Sequence, residues 1–206
     1  FNHDYATIEA EMAAGSGGDG YLGAWSSPEP KSDADLKPSP DGFATHTVLQ
    51  RSSAVDFIVD TVKANPNEIT ILAIGPLTNI ALAVKKNPEI VPLIKKIIYM
   101  GGAVDVPGNT TRYAEFNWWF DPEAAQFVVR LPIPQVVVPL DVTDTVFLTK
   151  PIYDRIAHTA KPTPVTEVFR QLNGYGFSGT NGFENNPAYT QNIWDTLVLA
   201  YLIDPR

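Results

Sequence analysis

Apolar residues fall into regular order only from Ser53 onward. Val55, Ile58, Val59 and Val62 recur at helical spacing and predict a helix. The NPNE turn follows, and then Ile69–Ile74 reads ITILAI without polar alternation, which fits a strand buried on both faces of a parallel sheet. Gly75-Pro76 comes next. It leads into a predicted helix over Leu77–Lys86, with the proline in the first turn, where its missing N–H costs nothing. Ile90–Lys95 predicts a short helical piece and Lys96–Met100 a second strand. Asp121-Pro122-Glu123 has the form of an N-cap, an N1 proline and an acid favoured by the helix dipole, opening a helix to about Arg130. Gln135–Leu140 predicts a third strand that frays or bends at Pro139. Residues 150–173 predict one or two helices interrupted by Pro162 and Pro164. Gly174–Asn186 predicts a glycine-rich loop, and Ile193–Ile203 an apolar helix beginning at Trp194-Asp195.

The first fifty residues lack this order. Gly15–Gly23 reads as a loop, and residues 26–45, with Pro28, Pro30, Pro38, Pro40 and Gly42 among charges, read as a surface excursion. Strands alternating with helices predict an α/β fold with a mostly parallel, Rossmann-like sheet flanked by helices. Ligands of such sheets sit beyond the carboxyl ends of the strands, here Ile74-Gly75 and Met100-Gly101.

Length and charge narrow the function classes. A chain of 206 residues suits one domain, 1–206, with a sizeable core. The start FNHDYATIEAEM, with neither the basic nor the apolar region of a signal peptide, does not read as a natural beginning, and the apolar end LAYLIDPR does not read as a natural end, so incompleteness is expected at both ends. A net charge of −8 argues against nucleic acid as a partner and suits a small neutral ligand or a cation. The absence of cysteine removes thiolate metal sites and cysteine nucleophiles and leaves the compartment undecided. His3, His46 and His158 lie in polar surroundings and read as surface residues. No apolar run reaches the roughly 20 residues of a membrane span, so no membrane partner is expected. No dinucleotide, P-loop or nucleophile-elbow motif occurs.

The chemistry concentrates in Tyr99–Ala125, where Gly101, Gly102, Gly108, Asn109, Glu115 and Asn117 lie between a strand and a helix. Amides and a carboxylate provide the fixed donors and acceptors that a buried polyol requires. Taken singly, Asn109 also reads as a turn residue, and Glu115 and Asn117 as caps. Asp195 reads as the N-cap of the last helix or as an oxygen ligand for a hard cation, with the Ile74 carbonyl as a partner. Trp194 reads either as core filler or as a stacking surface for a flat ring. Of Trp118 and Trp119, one is expected to face the core.

The ordered segments ITILAIGPLTNIALAVKKNP, IIYMGG, GN–x5–EFN, DPEAA and WDTLVLAYLIDP resemble the inosine-uridine preferring nucleoside hydrolase family over about residues 53 to 206. GGDGYLG resembles that family's H-G-x-D-G-L-G segment without its histidine. The resemblance implies a mostly parallel α/β fold and hydrolysis of the N-glycosidic bond of a small-molecule ribonucleoside in nucleoside catabolism such as purine salvage. It implies a calcium ion that binds the ribose diol and the attacking water, held by Asp195 and the backbone carbonyl of Ile74. Asn109, Glu115 and Asn117 match residues that hold the ribose hydroxyls, and Met100 and Phe116 match pocket-wall positions. Trp194 takes a place that holds histidine in some members and tryptophan in purine-selective ones, which raises the expectation of purine preference while leaving the base open. A homo-oligomer, dimer or tetramer, is expected. The glycine-rich and proline-rich loops over 1–45 and 174–192 are expected to set base selectivity. One departure stands out: the family's N-terminal D-x-D-x-x-x-D-D motif, with its general base and further metal ligands, does not occur, and Asp4 is no substitute. The general base is therefore expected upstream of Phe1. The alternative is a non-catalytic nucleoside- or sugar-binding protein of the same fold.

Overall fold

The computed structural model describes residues 51–175 and 182–205. The loop expected over Gly15–Gly23, the proline-rich excursion 26–45, Asp4, His3, His46 and part of the 174–186 loop lie outside those residues.

Helix α1 (Ala54–Ala64) starts where Ser53 accepts a hydrogen bond from the Asp56 N–H. Strand β1 (Thr70–Ala73) follows, then α2 (Thr78–Lys86), a 3-10 turn over Pro88–Leu93 and β2 (Lys96–Met100). Leu77, not Pro76, flanks α2, so the proline lies just outside the helix rather than in its first turn. Two short helices, α3 (Phe116–Phe120) and α4 (Pro122–Val128), precede β3 (Gln135–Val138). Asp121 caps α4 by accepting from the Ala124 N–H at 3.0 Å. β3 stops before Pro139, which has no N–H for a ladder bond, and Leu140 opens α5 (Leu140–Thr143).

The three strands form a parallel sheet in the order β1-β2-β3, with Ala73 opposite Tyr99 and Met100 opposite Val138. Side chains alternate across a strand, and central β2 uses both faces. Ile97 and Tyr99 enter one apolar cluster with α1, α2 and α4, while Ile98 and Met100 enter another with Val138, Leu140 and Val198. β1 lies at an edge of the described sheet. It is accordingly half-buried rather than buried on both faces, and Ile74 beyond it is exposed.

Two strands were not anticipated. β4 (Phe147–Thr149) and β5 (Thr190–Asn192) pair antiparallel, beside α6 (Lys150–Ala157) and α7 (Pro164–Gly174). Pro164 opens α7 instead of interrupting it. A third cluster of Leu148, Tyr153 and Phe183 binds these elements together, with Tyr153 and Phe183 stacked at 4.8 Å. The last helix, α8 (Trp194–Ile203), lies on β2, with Val198 buried and Leu199, Leu202 and Ile203 exposed. Among the described residues no helix is long and apolar enough to cross a membrane.

Candidate active site

Beyond the carboxyl ends of β1 and β2 lies a cavity of about 240 Å³, lined by Ile74, Met100, Asn109, Glu115, Phe116, Asn117, Trp194 and Asp195. The structure thus brings together, from four separate stretches of chain, every residue expected to bind substrate or metal. The cavity is somewhat smaller than the roughly 300–1,000 Å³ of common ligand clefts.

Its floor is built on Glu115. One carboxylate oxygen accepts from the Asn117 N–H at 2.8 Å, and the other from the Gly102 N–H at 3.0 Å and the Trp118 N–H at 3.1 Å. The side chain therefore caps α3 and ties it to the exit of β2. Gly102 sits at φ +82°, a conformation that favours glycine. Gly101 passes beneath Trp118, where a Cβ would meet the indole Nε1 at 2.2 Å. Trp118 is the core-facing member of the tryptophan pair, tilted against Tyr99 at 5.9 Å. Burial pushes the Glu115 carboxyl above its ordinary value; the N–H groups of Asn117, Gly102 and Trp118 oppose this in part, and the Asp195 charge adds a smaller upward push.

Polar capacity remains unused around this floor. Asn117 donates from Nδ2 to the Met100 carbonyl at 3.2 Å, leaving its Oδ1 open. Asn109 accepts the Phe116 N–H on Oδ1 at 2.9 Å, leaving its Nδ2 as a donor. Both asparagines are thus local structural residues and cavity residues together. Asp195 is not the N-cap of α8. Ile193 holds that position without a side-chain bond, and Asp195 lies in the first helical turn. Asp195 is exposed to solvent, and the partial desolvation it does feel raises its carboxyl pKa.

The Asp195 carboxylate and the Ile74 carbonyl are hard oxygen donors at one cavity, and their chemistry fits a calcium ion, which takes six to eight oxygens. Among the described residues no group of three or more acidic, histidine or cysteine side chains is placed to hold a metal. Two donors are fewer than such an ion takes, so a complete shell would need further oxygens from outside the described residues.

Two supporting residues were missed by sequence reasoning. Asp141 accepts from the N–H groups of Val104 at 2.9 Å and Asp105 at 2.8 Å, fixing the loop that leaves β2. Asp144 accepts from the indole Nε1 of Trp194 at 2.9 Å. Both sit in an ordinary-looking PLDVTD segment, and only the fold reveals their partners. His158 is exposed, as expected, 3.5 Å from Asp154 and 3.4 Å from Glu184.

The family model described as inosine-uridine preferring nucleoside hydrolase matches residues 5–206. The pyrimidine-specific ribonucleoside hydrolase RihB of Escherichia coli O1:K1 / APEC is 36% identical over 156 residues, 76% of this chain and 48% of RihB. Among solved structures, the purine-preferring ribonucleoside hydrolase from Gardnerella vaginalis aligns with a TM-score of 0.68 at 32% identity, over 78% of this chain and 50% of that one. The inosine-uridine preferring nucleoside hydrolase from Bacillus anthracis aligns with a TM-score of 0.64 at 25% identity, over 76% and 50%. The chain spans about half the length of these relatives.

Proposed function

The chain belongs to the inosine-uridine preferring nucleoside hydrolase family, and on that premise we propose that the protein hydrolyses the N-glycosidic bond of ribonucleosides, releasing ribose and the free base. The observation that carries this reading is the unused polar capacity of the cavity. Asn117 Oδ1, the spare lone pair of the singly bonded Glu115 oxygen and the Asp195 carboxylate accept, while Asn109 Nδ2 donates. Ribose hydroxyls each donate and accept, and a buried hydroxyl without a partner is costly. The set suits a sugar diol on the floor, with Met100, Phe116 and Trp194 as an apolar wall for the base.

The transition state of glycoside hydrolysis resembles an oxocarbenium ion. The Glu115 carboxylate and Asn117 Oδ1 would face that developing charge from a preorganised frame and so favour it. Asp195 and the Ile74 carbonyl would hold a calcium ion, whose chemistry when bound is activation of a water. Glu115 is committed to three backbone N–H groups, so the proton acceptor for that water is sought outside the described residues. Trp194 would stack on the leaving base, a contact worth about 1–3 kcal/mol, and this supports a purine preference. The three named relatives differ in base preference, so the assignment rests on Trp194 alone. A homo-oligomer, dimer or tetramer, belongs to the same reading, supported by the exposed apolar stripe Val165, Val168 and Leu172 on α7; light scattering decides it.

Incubation of the full-length protein with inosine, guanosine, uridine and cytidine in the presence of calcium, with assay of released ribose, tests the activity. Release from none of them refutes it. The commitment of Glu115 to structural bonds favours one second reading, a nucleoside-binding protein without turnover. Ribonucleoside binding with no ribose release would establish that instead.

A further inference from the structure

Trp194 is referenced to one corner of the fold in two ways. Its indole Nε1 donates to Asp144 Oδ1 at 2.9 Å. Asp144 is the residue on which α5 ends, and its own N–H donates to the Leu140 carbonyl at 3.0 Å, so its backbone is fixed. Phe147, just beyond it, pairs with Asn192 in the β4–β5 ladder, next to the start of α8. The ladder sets where Trp194 leaves the sheet, and the Asp144 bond sets how its ring is turned.

The second of these constraints is the informative one. The Trp194 ring packs against the cluster containing Ile98, Met100 and Val138 on one side and lines the cavity on the other. Apolar packing is non-directional, so it does not by itself choose which edge of the indole points inward. An indole has a single donor, Nε1–H, and a bond from it to a carboxylate singles out one ring orientation. Bonds of this charge-assisted kind are roughly twice as strong as neutral ones.

We propose that Asp144 is a positioning residue for base recognition: through Trp194 Nε1 it holds the indole plane in the orientation on which a flat ring in the cavity stacks. The inference rests on the reading of Trp194 as the base-stacking wall. Asp144 touches neither base nor sugar, so its influence passes through Trp194 and nowhere else.

The test uses the full-length protein and the variants Asp144→Ala, Asp144→Asn, Trp194→Phe, Trp194→Ala and the double variant Asp144→Ala/Trp194→Phe. KM and kcat for inosine and uridine are measured, with equilibrium binding of inosine as a readout that does not require turnover, and urea midpoints report folding. Asp144→Ala is expected to raise KM and Kd for inosine roughly three- to tenfold, the effect of one net hydrogen bond, with kcat changed by less than about twofold. Asp144→Asn keeps an acceptor oxygen and restores binding to within about twofold of the wild type. Trp194→Phe keeps a ring but has no N–H, so adding Asp144→Ala to it changes nothing further. An equal loss from Asp144→Ala in both backgrounds overturns the proposal. So does a lowered urea midpoint with inosine affinity unchanged, which would make the bond a plain tether. If Trp194→Ala weakens inosine binding while the Asp144 variants do not, stacking by Trp194 stands and the role of Asp144 falls. If Trp194→Ala is itself silent, the stacking reading fails and the Asp144 inference with it.

Discussion

Replacing Glu115 by alanine tests whether one carboxylate joins the exit of β2 to α3 and so shapes the cavity floor. Three backbone N–H groups lose their acceptor. Those of Asn117 and Trp118 belong to the first turn of α3, and loss of an N-cap costs about 1 kcal/mol. The Gly102 N–H is then stranded where Glu115 had been only 2% exposed, and a buried orphan donor costs about 1–3 kcal/mol. One effect has the opposite sign. Burial raises the Glu115 pKa in spite of the three bonds, so the charge is held at a net cost that alanine relieves. The net expectation is a loss of about 2–3 kcal/mol. Glutamine is the informative comparison. Its oxygen can keep Gly102 and Trp118, while its NH2 group meets the Asn117 N–H, so one bond is lost and the buried charge is gone; about 1 kcal/mol follows. Urea unfolding of the two variants and the wild type, followed by the fluorescence of Trp118 and Trp119 on α3, measures both differences. A cost below about 0.5 kcal/mol for alanine, under the floor for losing a cap, or a larger cost for glutamine than for alanine, would refute the linkage. With the floor preserved, Glu115→Gln should still slow ribonucleoside hydrolysis roughly 100-fold, the usual scale for removing one preorganised electrostatic contact from a transition state.

Asp141 gives a pH signature. Its bonds from the Val104 and Asp105 N–H groups hold its pKa below the ordinary 3.8, so its contribution is present above 3.8 and is lost as pH falls through the depressed folded value. Asp141→Asn should therefore unfold at lower urea than the wild type at neutral pH, with the gap closing in strong acid; a gap independent of pH would contradict this. Gly108→Ala would place a Cβ 2.1 Å from the Ala114 carbonyl oxygen, a backbone atom with nowhere to go. A loss of about 1–3 kcal/mol in thermal or urea unfolding is expected, together with weaker ribonucleoside binding as Asn109 shifts. For the proposed cation, calcium at about 100 times its Kd should stabilise the full-length protein by about 2.7 kcal/mol. A chelator should reverse this, and Asp195→Ala should abolish it; stabilisation that survives Asp195→Ala would remove Asp195 from the metal site.

The parts of the fold legible in the sequence were those determined by neighbours along the chain. Ser53 and Asp121-Pro122 start helices through bonds to N–H groups a few residues on, and β2 is a compact apolar run, so these elements fall where the spacing predicts. β4 and β5 escaped because each has three residues, and TQN carries no strand pattern of its own; only the pairing of Phe147 with Asn192 across the fold makes it a strand. β1 read as doubly buried because its six-residue apolar run has no alternation, yet how much of it is covered depends on which strands flank it. Asp141 and Asp144 were invisible for a related reason: the residues they hold lie 36 to 50 positions away.

The site residues differ in how the choice between structure and function resolves. For Glu115, capping and lining the cavity are one role, because the bonds that cap α3 also turn the carboxylate toward the pocket. Asn109 and Asn117 behave alike, each spending one end of its amide on the backbone and presenting the other to the cavity. Asp195 is the opposite case. Capping was the strongest ordinary explanation for an acid at that position, and Ile193 holds the N-cap instead. Among the described residues the Asp195 carboxylate has no hydrogen-bond partner, and it lines the cavity while staying exposed to solvent. An acid at this cavity with no structural bond of its own is the one expected to respond first when a cation is added.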